Sequence, residues 1–395
     1  MHILVINSGS SSVKFSIFEA ANDQAPNPII DGAVSGIGAP NSSLEIRGEK
    51  ATHPTTVAVD AKTSLEAIRL VLDEISKPEI PAIDAIGYRV VHPGPKLNRH
   101  QRITDEVLAD LEAAVVFAPL HDPDAIRLIR EAMGRFPHIG HFACFDTVFH
   151  ETMPEAATTY PIPLEYAAKG VRRYGFHGLS CESVVRRMKL TVGVPFPQRM
   201  IIAHLGSGCS ITAVVDGKSV DNTMGLTPTG GIVMGTRPGD LDPGLILYLL
   251  REDGASTDSV EQMLNHDAGL KAIFGINDMR AIRDAAIKDP HARLAIEIFS
   301  NSARRAIGGM IAVHGADAIV FTGGIGEHDP RTRWALGNSL FADQPEIEWE
   351  INEAKLDGMR KISAEESNIA VYVVPAEEDL MIAVHVAEMA ILGNQ

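Results

Sequence analysis

The chain contains no run of about 18 uninterrupted apolar residues, the minimum for a helix that spans a bilayer, so no membrane association is expected. Paired cysteines are also missing. Cys144, Cys181 and Cys209 are odd in number and far apart, so no disulfide framework follows and a reducing, cytoplasmic setting is expected. Positive charge is scarce: 35 Lys and Arg against 51 Asp and Glu give a formal net charge of −16, which disfavours a nucleic-acid partner. The first residues, Met1-His2-Ile3-Leu4, carry no basic leader, and no export signal is read there. Three familiar signatures are absent as well. There is no Gly-x-x-x-x-Gly-Lys-Ser/Thr phosphate loop, no Gly-x-Gly-x-x-Gly dinucleotide turn and no Gly-x-Ser-x-Gly nucleophile elbow.

What is present alternates between strands and helices, which indicates α/β layering. Ile3-Leu4-Val5-Ile6 is a continuous apolar run, as in a strand covered on both faces. The turn Asn7-Ser8-Gly9-Ser10-Ser11-Ser12 follows, and Val13, Phe15 and Ile17 then alternate as a second strand. The pattern returns half a chain later. Met200 to Ala203 is apolar, His204 to Ser210 is a glycine-serine turn, and Ile211, Ala213 and Val215 alternate up to the hairpin signal Asp216-Gly217. The repetition points to a duplicated architecture. Helices are expected after the capping box at Thr63 and Glu66, after Asp122-Pro123 and Asp242-Pro243 as N-cap and first-turn proline, from about Leu294 to Val313, and from about Glu377 to Leu392.

Three small-residue turns, at 7–12, 204–210 and 322–327, each follow an apolar strand. Glycine turns expose backbone N–H groups and let phosphate approach closely, so three at strand ends favour phosphate handling over simple chain reversal. Arg89, Arg172, Arg173 and Arg237 lie beside strand ends or glycines, where a guanidinium suits bidentate binding of carboxylate or phosphate. His138, His141, Cys144, Asp146 and His150 invite a transition-metal reading. However, residues 140–146 alternate like a strand, and no paired Cys-x-x-Cys or His-Glu-x-x-His spacing supports it.

Taken together the motifs resemble the acetate kinase family (acetate and propionate kinases), within the superfamily of sugar kinases, actin and heat-shock chaperones. The matching stretches are residues 7–15, Arg89-Val90-Val91-His92, Ala118-Pro119-Leu120-His121, 145–150, 172–178, Met234-Gly235-Thr236-Arg237 and Gly323-Gly324-Ile325-Gly326-Glu327, in the family's order across nearly the whole chain. The resemblance implies two duplicated actin-like (ribonuclease H-like) domains around a central cleft. Residues 1–149 with about 380–395 would form the N-terminal domain and 150–379 the nucleotide-binding one.

It also implies an activity: phosphoryl transfer from ATP, as co-substrate, to acetate. Asn7 and Arg89 would contact the acid and the transferring group, with Arg237 opposite, His177 donating to phosphoryl oxygens, His121 nearby and Asp146 at the catalytic centre. Val91, Leu120, Phe176 and Pro228 would receive the acid's methyl group. Ser10, Ser12 and Lys14, then His204, Leu205, Gly206, Ser207 and Gly208, then Gly323, Gly324, Ile325 and Gly326 would bind phosphates, with Asp278, Met279 and Arg280 flanking the nucleotide. Glu378 and Asn7 would hold Mg²⁺, with Mn²⁺ as the alternative, and a homodimer is expected. The chain departs from the family pattern at Ser207 and His328, where asparagine is usual, and at Pro93, Asp122 and Pro238. Those departures leave another nucleotide or pyrophosphate open as donor, and a pocket lined by Val91 leaves propionate open as acid. A non-catalytic nucleotide-binding switch and a sugar kinase are the competing classes.

Overall fold

A computed structural model describes every residue except 10–11, 22–23, 40, 49–54, 118–121, 342–343, 356–357 and 393–395. The chain divides into two compact units, Met1–Val148 with Glu377–Gln395, and Phe149–Ala376. No helix among the described residues is long and apolar enough to cross a membrane.

The first unit is built on eight strands: β1 His2–Ser8, β2 Ser12–Glu19, β3 Asn27–Ser35, β4 Ser43–Gly48, β5 Thr55–Ala58, β6 Ala85–Val90, β7 Gln101–Arg102 and β8 Gly140–Phe145. Their order is β5-β4-β3-β2-β1-β6-β8-β7. β1 runs antiparallel to β2 and parallel to β6, which is parallel to β8. One face packs Leu4, Ile6, Phe15 and Tyr88 against Ile68, Val71 and Leu72 of helix Ser64–Ile75 and Ile126 and Ile129 of helix Asp122–Arg135. Helix Glu378–Leu392 covers β6, where a Cβ on Gly87 would lie 2.6 Å from Ile382 Cγ2 and 2.7 Å from Val386 Cγ2. Gly87 and Arg89 share a strand face, and 378, 382 and 386 share a helix face. The glycine that seats Ile382 and Val386 therefore also sets Glu378 over Arg89.

The second unit has six strands: β9 Arg199–Leu205, β10 Cys209–Val215, β11 Lys218–Asn222, β12 Ala318–Thr322, β13 Arg360–Lys361 and β14 Ala370–Val373, in the order β11-β10-β9-β12-β14-β13. β9 is antiparallel to β10 and parallel to β12, which is parallel to β14. The series β3-β2-β1-β6-β8-β7 has the same order and the same strand directions. Two copies of one actin-like layout thus make up the chain, as the repeated strand–turn–strand pattern suggested. The Asp216-Gly217 hairpin forms with both residues at positive φ, 51° and 78°. Cys181, Val184 and Met188 of helix Gly178–Leu190 pack with Met200, Ile202, Val214 and Val320 from the sheet.

Several local expectations change. The small-residue segment after β12 is the opening of helix Gly323–His328 rather than a turn, because Gly323 takes a positive φ of 77° and the chain continues from it into the helix. The long helix runs Pro290–His314, starting earlier than expected, because Asp289 caps it and Pro290 opens it. Asp122 does not act as a solvent-facing cap. It is the first residue of helix Asp122–Arg135, is 1% exposed, and accepts the His92 N–H at 3.4 Å.

Candidate active site

In open α/β sheets, ligands gather at the carboxyl ends of parallel strands. The first unit places ionisable side chains there. Asn7 lies near the end of β1, Arg89 near the end of β6, and Asp146 just after β8. Arg89 donates from Nε to both oxygens of Asp146 at 3.1 and 3.0 Å, and from Nη1 to Asn7 Oδ1 at 3.3 Å. Glu378 Oε2 stands 4.0 Å from Arg89 Nε. Asn7 Nδ2 donates to Asp379 Oδ1 at 3.4 Å, and Ser16 Oγ donates to its other oxygen at 3.0 Å.

Burial opposes the Arg89 charge, but Asp146 and then Glu378 more than offset this and raise its pKa. Burial is likewise the largest influence on Asp146 and pushes its pKa up, with Arg89 pulling the other way. Burial also raises Asp379, against the Ser16 hydrogen bond. Asp379 and Ser16 were not read from the sequence. The signals were there, in a carboxylate directly after Glu378 and a serine on the same strand face as Lys14.

The second unit answers with backbone-rich turns. The 206–208 turn closes as Gly206 N–H donates to the Gly208 carbonyl at 3.0 Å. Gly323, at φ 77°, sits so close that a Cβ there would lie 2.8 Å from the Leu205 carbonyl oxygen. The two segments at the ends of β9 and β12 are therefore packed backbone on backbone, which only glycine allows. Glu327 ties this assembly to the chain after β14, accepting from Gly323 N–H and Ala376 N–H, each at 3.0 Å.

His177 and Arg237 converge on this turn. A Cβ on Gly208 would lie 3.0 Å from His177 Nε2 and 3.5 Å from Arg237 Nη2. His177 Nδ1 meets Ser210 Oγ at 3.0 Å, and its ring stacks on His204 with centroids 4.1 Å apart. His204 Nδ1 meets Ser180 Oγ at 2.8 Å. Arg237 Nη1 donates to the Pro228 carbonyl at 2.7 Å.

Other expected site residues take simpler places. Asp278 caps helix Met279–Ala285, accepting the Ala281 N–H at 2.7 Å, with Met279 buried and Arg280 exposed. Ser207 is exposed, and its carbonyl accepts the Gly235 N–H at 3.4 Å. Val91 is half-buried in the first unit, and Phe176 and Pro228 are buried in the second. Ser12 opens β2, and Lys14 is exposed on it. Gly324 is exposed and Ile325 half-buried on the helix after β12. Ser10, Leu120 and His121 lie outside the described residues. The residues weighed as transition-metal ligands disperse. His141 meets Tyr88 Oη and the Phe136 carbonyl, Asp146 holds Arg89, and His150 faces Ser219.

Residues 2–384 match the sequence model of the Acetokinase family. The chain is 40% identical over 395 residues to the acetate kinase of Micrococcus luteus, covering 97% of this chain and 98% of that one. Among solved structures it resembles a propionate kinase from Francisella tularensis subsp. tularensis SCHU S4 at a TM-score of 0.89 and 36% identity. That likeness covers 98% of this chain and 99% of the other. The Porphyromonas gingivalis acetate kinase matches at 0.85 and 32%, with the same coverage. Fold and likeness together define a phosphotransferase of the duplicated actin-like class whose acceptor is a carboxyl group. The chain belongs to the acetokinase family.

Proposed function

We propose that the chain transfers a phosphoryl group reversibly from ATP to acetate, giving acetyl phosphate and ADP in one in-line displacement. The observation that carries the reading is the cluster of Arg89, Asn7, Asp146, Glu378 and Asp379 at the ends of parallel strands. A short carboxylic acid with a pKa near that of Asp, about 3.9, is already ionised at neutral pH, so its attack needs no general base. The obstacle is repulsion between two anions. Arg89 and Arg237 are the cations assigned to it, and His177 donates to the phosphoryl oxygens as charge develops. Ser210 serves His177 by holding Nδ1 through its hydroxyl at 3.0 Å, which leaves Nε2 toward the 206–208 turn.

Asn7 and Arg89 orient the acid. The family resemblance assigns Val91, Leu120, Phe176 and Pro228 to its methyl group and gives His121 a part in binding the acid. The nucleotide phosphates fall to Ser10, Ser12 and Lys14, to residues 204–208 and to residues 323–326, and residues 278–280 flank the base and ribose. Carboxylates outnumber guanidinium groups in the first unit's cluster, and every side-chain donor on offer is oxygen. That set fits a hard divalent cation, Mg²⁺ or alternatively Mn²⁺, held by Glu378 and Asn7. When bound, the ion offsets charge on the donor's phosphates.

The reading includes a homodimer and a cytoplasmic setting. Helix Pro243–Arg251 buries none of its residues, and Leu241, Leu245, Leu247 and Tyr248 are exposed around it, a face that a second copy would cover. Sedimentation of wild type against Leu245→Asp tests this, with loss of the dimer expected. The three cysteines are buried and form no disulfide, which fits a reducing compartment.

Likeness to a propionate kinase favours a second reading, propionate as the acid. A hydroxamate assay over a panel of acids and donors tests both. Acetate, ATP and Mg²⁺ together should yield acyl phosphate, and a chelator should abolish it. ATP binding without acyl phosphate would make the chain a nucleotide-responsive switch, and turnover of glycerol or hexoses alone would make it a sugar kinase.

A further inference from the structure

His177 holds a backbone conformation that a non-glycine residue adopts at a cost. Its φ is 60° and ψ 30°, in the left-handed region, as it caps helix Gly178–Leu190. Left-handed geometry is unfavourable for such a residue and persists only where the surroundings enforce it. The enforcing groups lie on the peptide just before it. The Phe176 carbonyl accepts two hydrogen bonds, from His150 Nε2 at 2.9 Å and from Asn222 Nδ2 at 3.2 Å. These fix the plane of the peptide whose nitrogen belongs to His177.

Both donors are themselves held. A carbonyl can only accept, so the proton of His150 must be on Nε2, and Nδ1 accepts from Ser219 Oγ at 2.8 Å. Burial lowers the His150 pKa to about 4, so the ring stays neutral and this tautomer persists at physiological pH. Asn222 Nδ2 also donates to Thr212 Oγ1 at 2.8 Å, its partner across the β10–β11 ladder, and Oδ1 accepts the Met224 N–H at 2.8 Å. His150 and Asn222 are both essentially inaccessible to solvent. Gly175, at φ 72°, makes room for the pair. A Cβ there would lie 2.8 Å from His150 Cγ and 3.0 Å from Asn222 Cβ.

We propose that His150 and Asn222 are positioning residues of the phosphoryl transfer, gripping the Phe176 carbonyl so that His177 is aimed at the 206–208 turn. The inference rests on the role given to His177 above. Neither residue touches substrate. They act only through the peptide between Phe176 and His177, so they govern the rate of the chemical step rather than the affinity for acid or nucleotide.

The test compares His150→Phe, His150→Gln, Asn222→Ala and Ser219→Ala by acyl-phosphate formation. Phenylalanine keeps the ring and removes the donor. Misplacing a transition-state group should lower kcat about tenfold or more while KM for acetate and ATP stays within about twofold. Glutamine restores a donor and should recover most of the loss. Ser219→Ala leaves the ring in place and should give a smaller fall in kcat, so a folded probe remains even where a bulkier change unfolds the unit. Wild-type kcat in folded His150→Phe or Asn222→Ala protein would overturn the proposal. So would equal loss in His150→Gln and His150→Phe, which would make the site merely structural. Wild-type protein that forms no acyl phosphate would instead refute the functional reading on which the inference rests.

Discussion

The two units share one strand order, yet the ends of their parallel strands carry opposite kinds of chemistry. In the first unit, the ends of β1, β6 and β8 hold Asn7, Arg89 and Asp146 in a buried ionic cluster completed by Glu378 and Asp379. In the second, the ends of β9 and β12 hold Gly206, Gly208 and Gly323, and Arg237 and His177 meet neutral groups there, a carbonyl for the first and a hydroxyl for the second. A scaffold fixes where functional groups can sit, and side chains decide whether the site works through charge or through backbone donors. The first arrangement couples activity tightly to stability, because removing one ion leaves others buried without compensation. The second ties activity to backbone shape, which glycine alone permits.

The largest expected effects break that contrast at its centre. Arg89→Ala and Arg237→Ala should each lower turnover at least about tenfold, a barrier change of roughly 1.4 kcal/mol. They should differ in stability. Arg89→Ala abandons the buried Asp146 carboxylate and should cost about 3–5 kcal/mol in denaturant unfolding, part of which Asp146→Ala in the same chain should restore. Arg237→Ala gives up a hydrogen bond to the Pro228 carbonyl but abandons no buried carboxylate of the Asp146 kind, and should cost less than Arg89→Ala. Equal stability losses would erase the distinction.

Two glycines sharpen the comparison at a smaller scale. Gly323→Ala places a Cβ against the Leu205 carbonyl at positive φ, and about 1–3 kcal/mol of destabilisation is expected, together with a raised KM for nucleotide. Gly87→Ala pushes Ile382 and Val386 outwards at a cost of about 1–3 kcal/mol, and should raise the Mg²⁺ concentration needed for activity by shifting Glu378. A KM effect of Gly87→Ala on nucleotide, with no change in metal requirement, would contradict the coupling drawn here.

The remaining effect is a pH dependence of stability. Asp122 is buried, its Oδ2 has no hydrogen-bond partner among the described residues, and burial raises its pKa from 3.8 to about 8, with Asp146 adding to the rise. A raised folded-state value favours the protonated form in the folded protein. Its contribution to stability is therefore complete below about pH 4 and is lost as pH climbs through about 8. Asp122→Asn keeps the shape without the charge. Its melting temperature should match wild type near pH 4 and exceed it by a margin that widens up to about pH 8. A constant margin across that range would show that Asp122 does not titrate as its burial demands.

The duplicated layout was legible because Ile3–Ile6 and Met200–Ala203 announce strands buried on both faces, each followed by a small-residue turn. The family motifs then marked Arg89, Asp146, His177 and Arg237. Partners set by packing were not legible. Asp379 meets Asn7 and Ser16 only because Gly87 lets helix Glu378–Leu392 lie close on β6, a contact spanning nearly the whole chain. His150 and Asn222 are 72 residues apart and meet at one carbonyl, which no local pattern encodes. The segment after β12 was read as a turn because glycine usually signals one. It becomes helical because Gly323 alone absorbs the positive φ and the chain continues into Gly323–His328.

The claim of direct transfer is tested most directly by the stereochemical course at phosphorus. ATP made chiral at its γ-phosphoryl group with oxygen isotopes would be turned over with acetate, and the configuration of the acetyl phosphate determined. A single in-line displacement predicts inversion. Net retention would mean that the phosphoryl group had paused on the protein, with Asp146, Glu378 and Asp379 as the first places to look, and would contradict the roles given to them here.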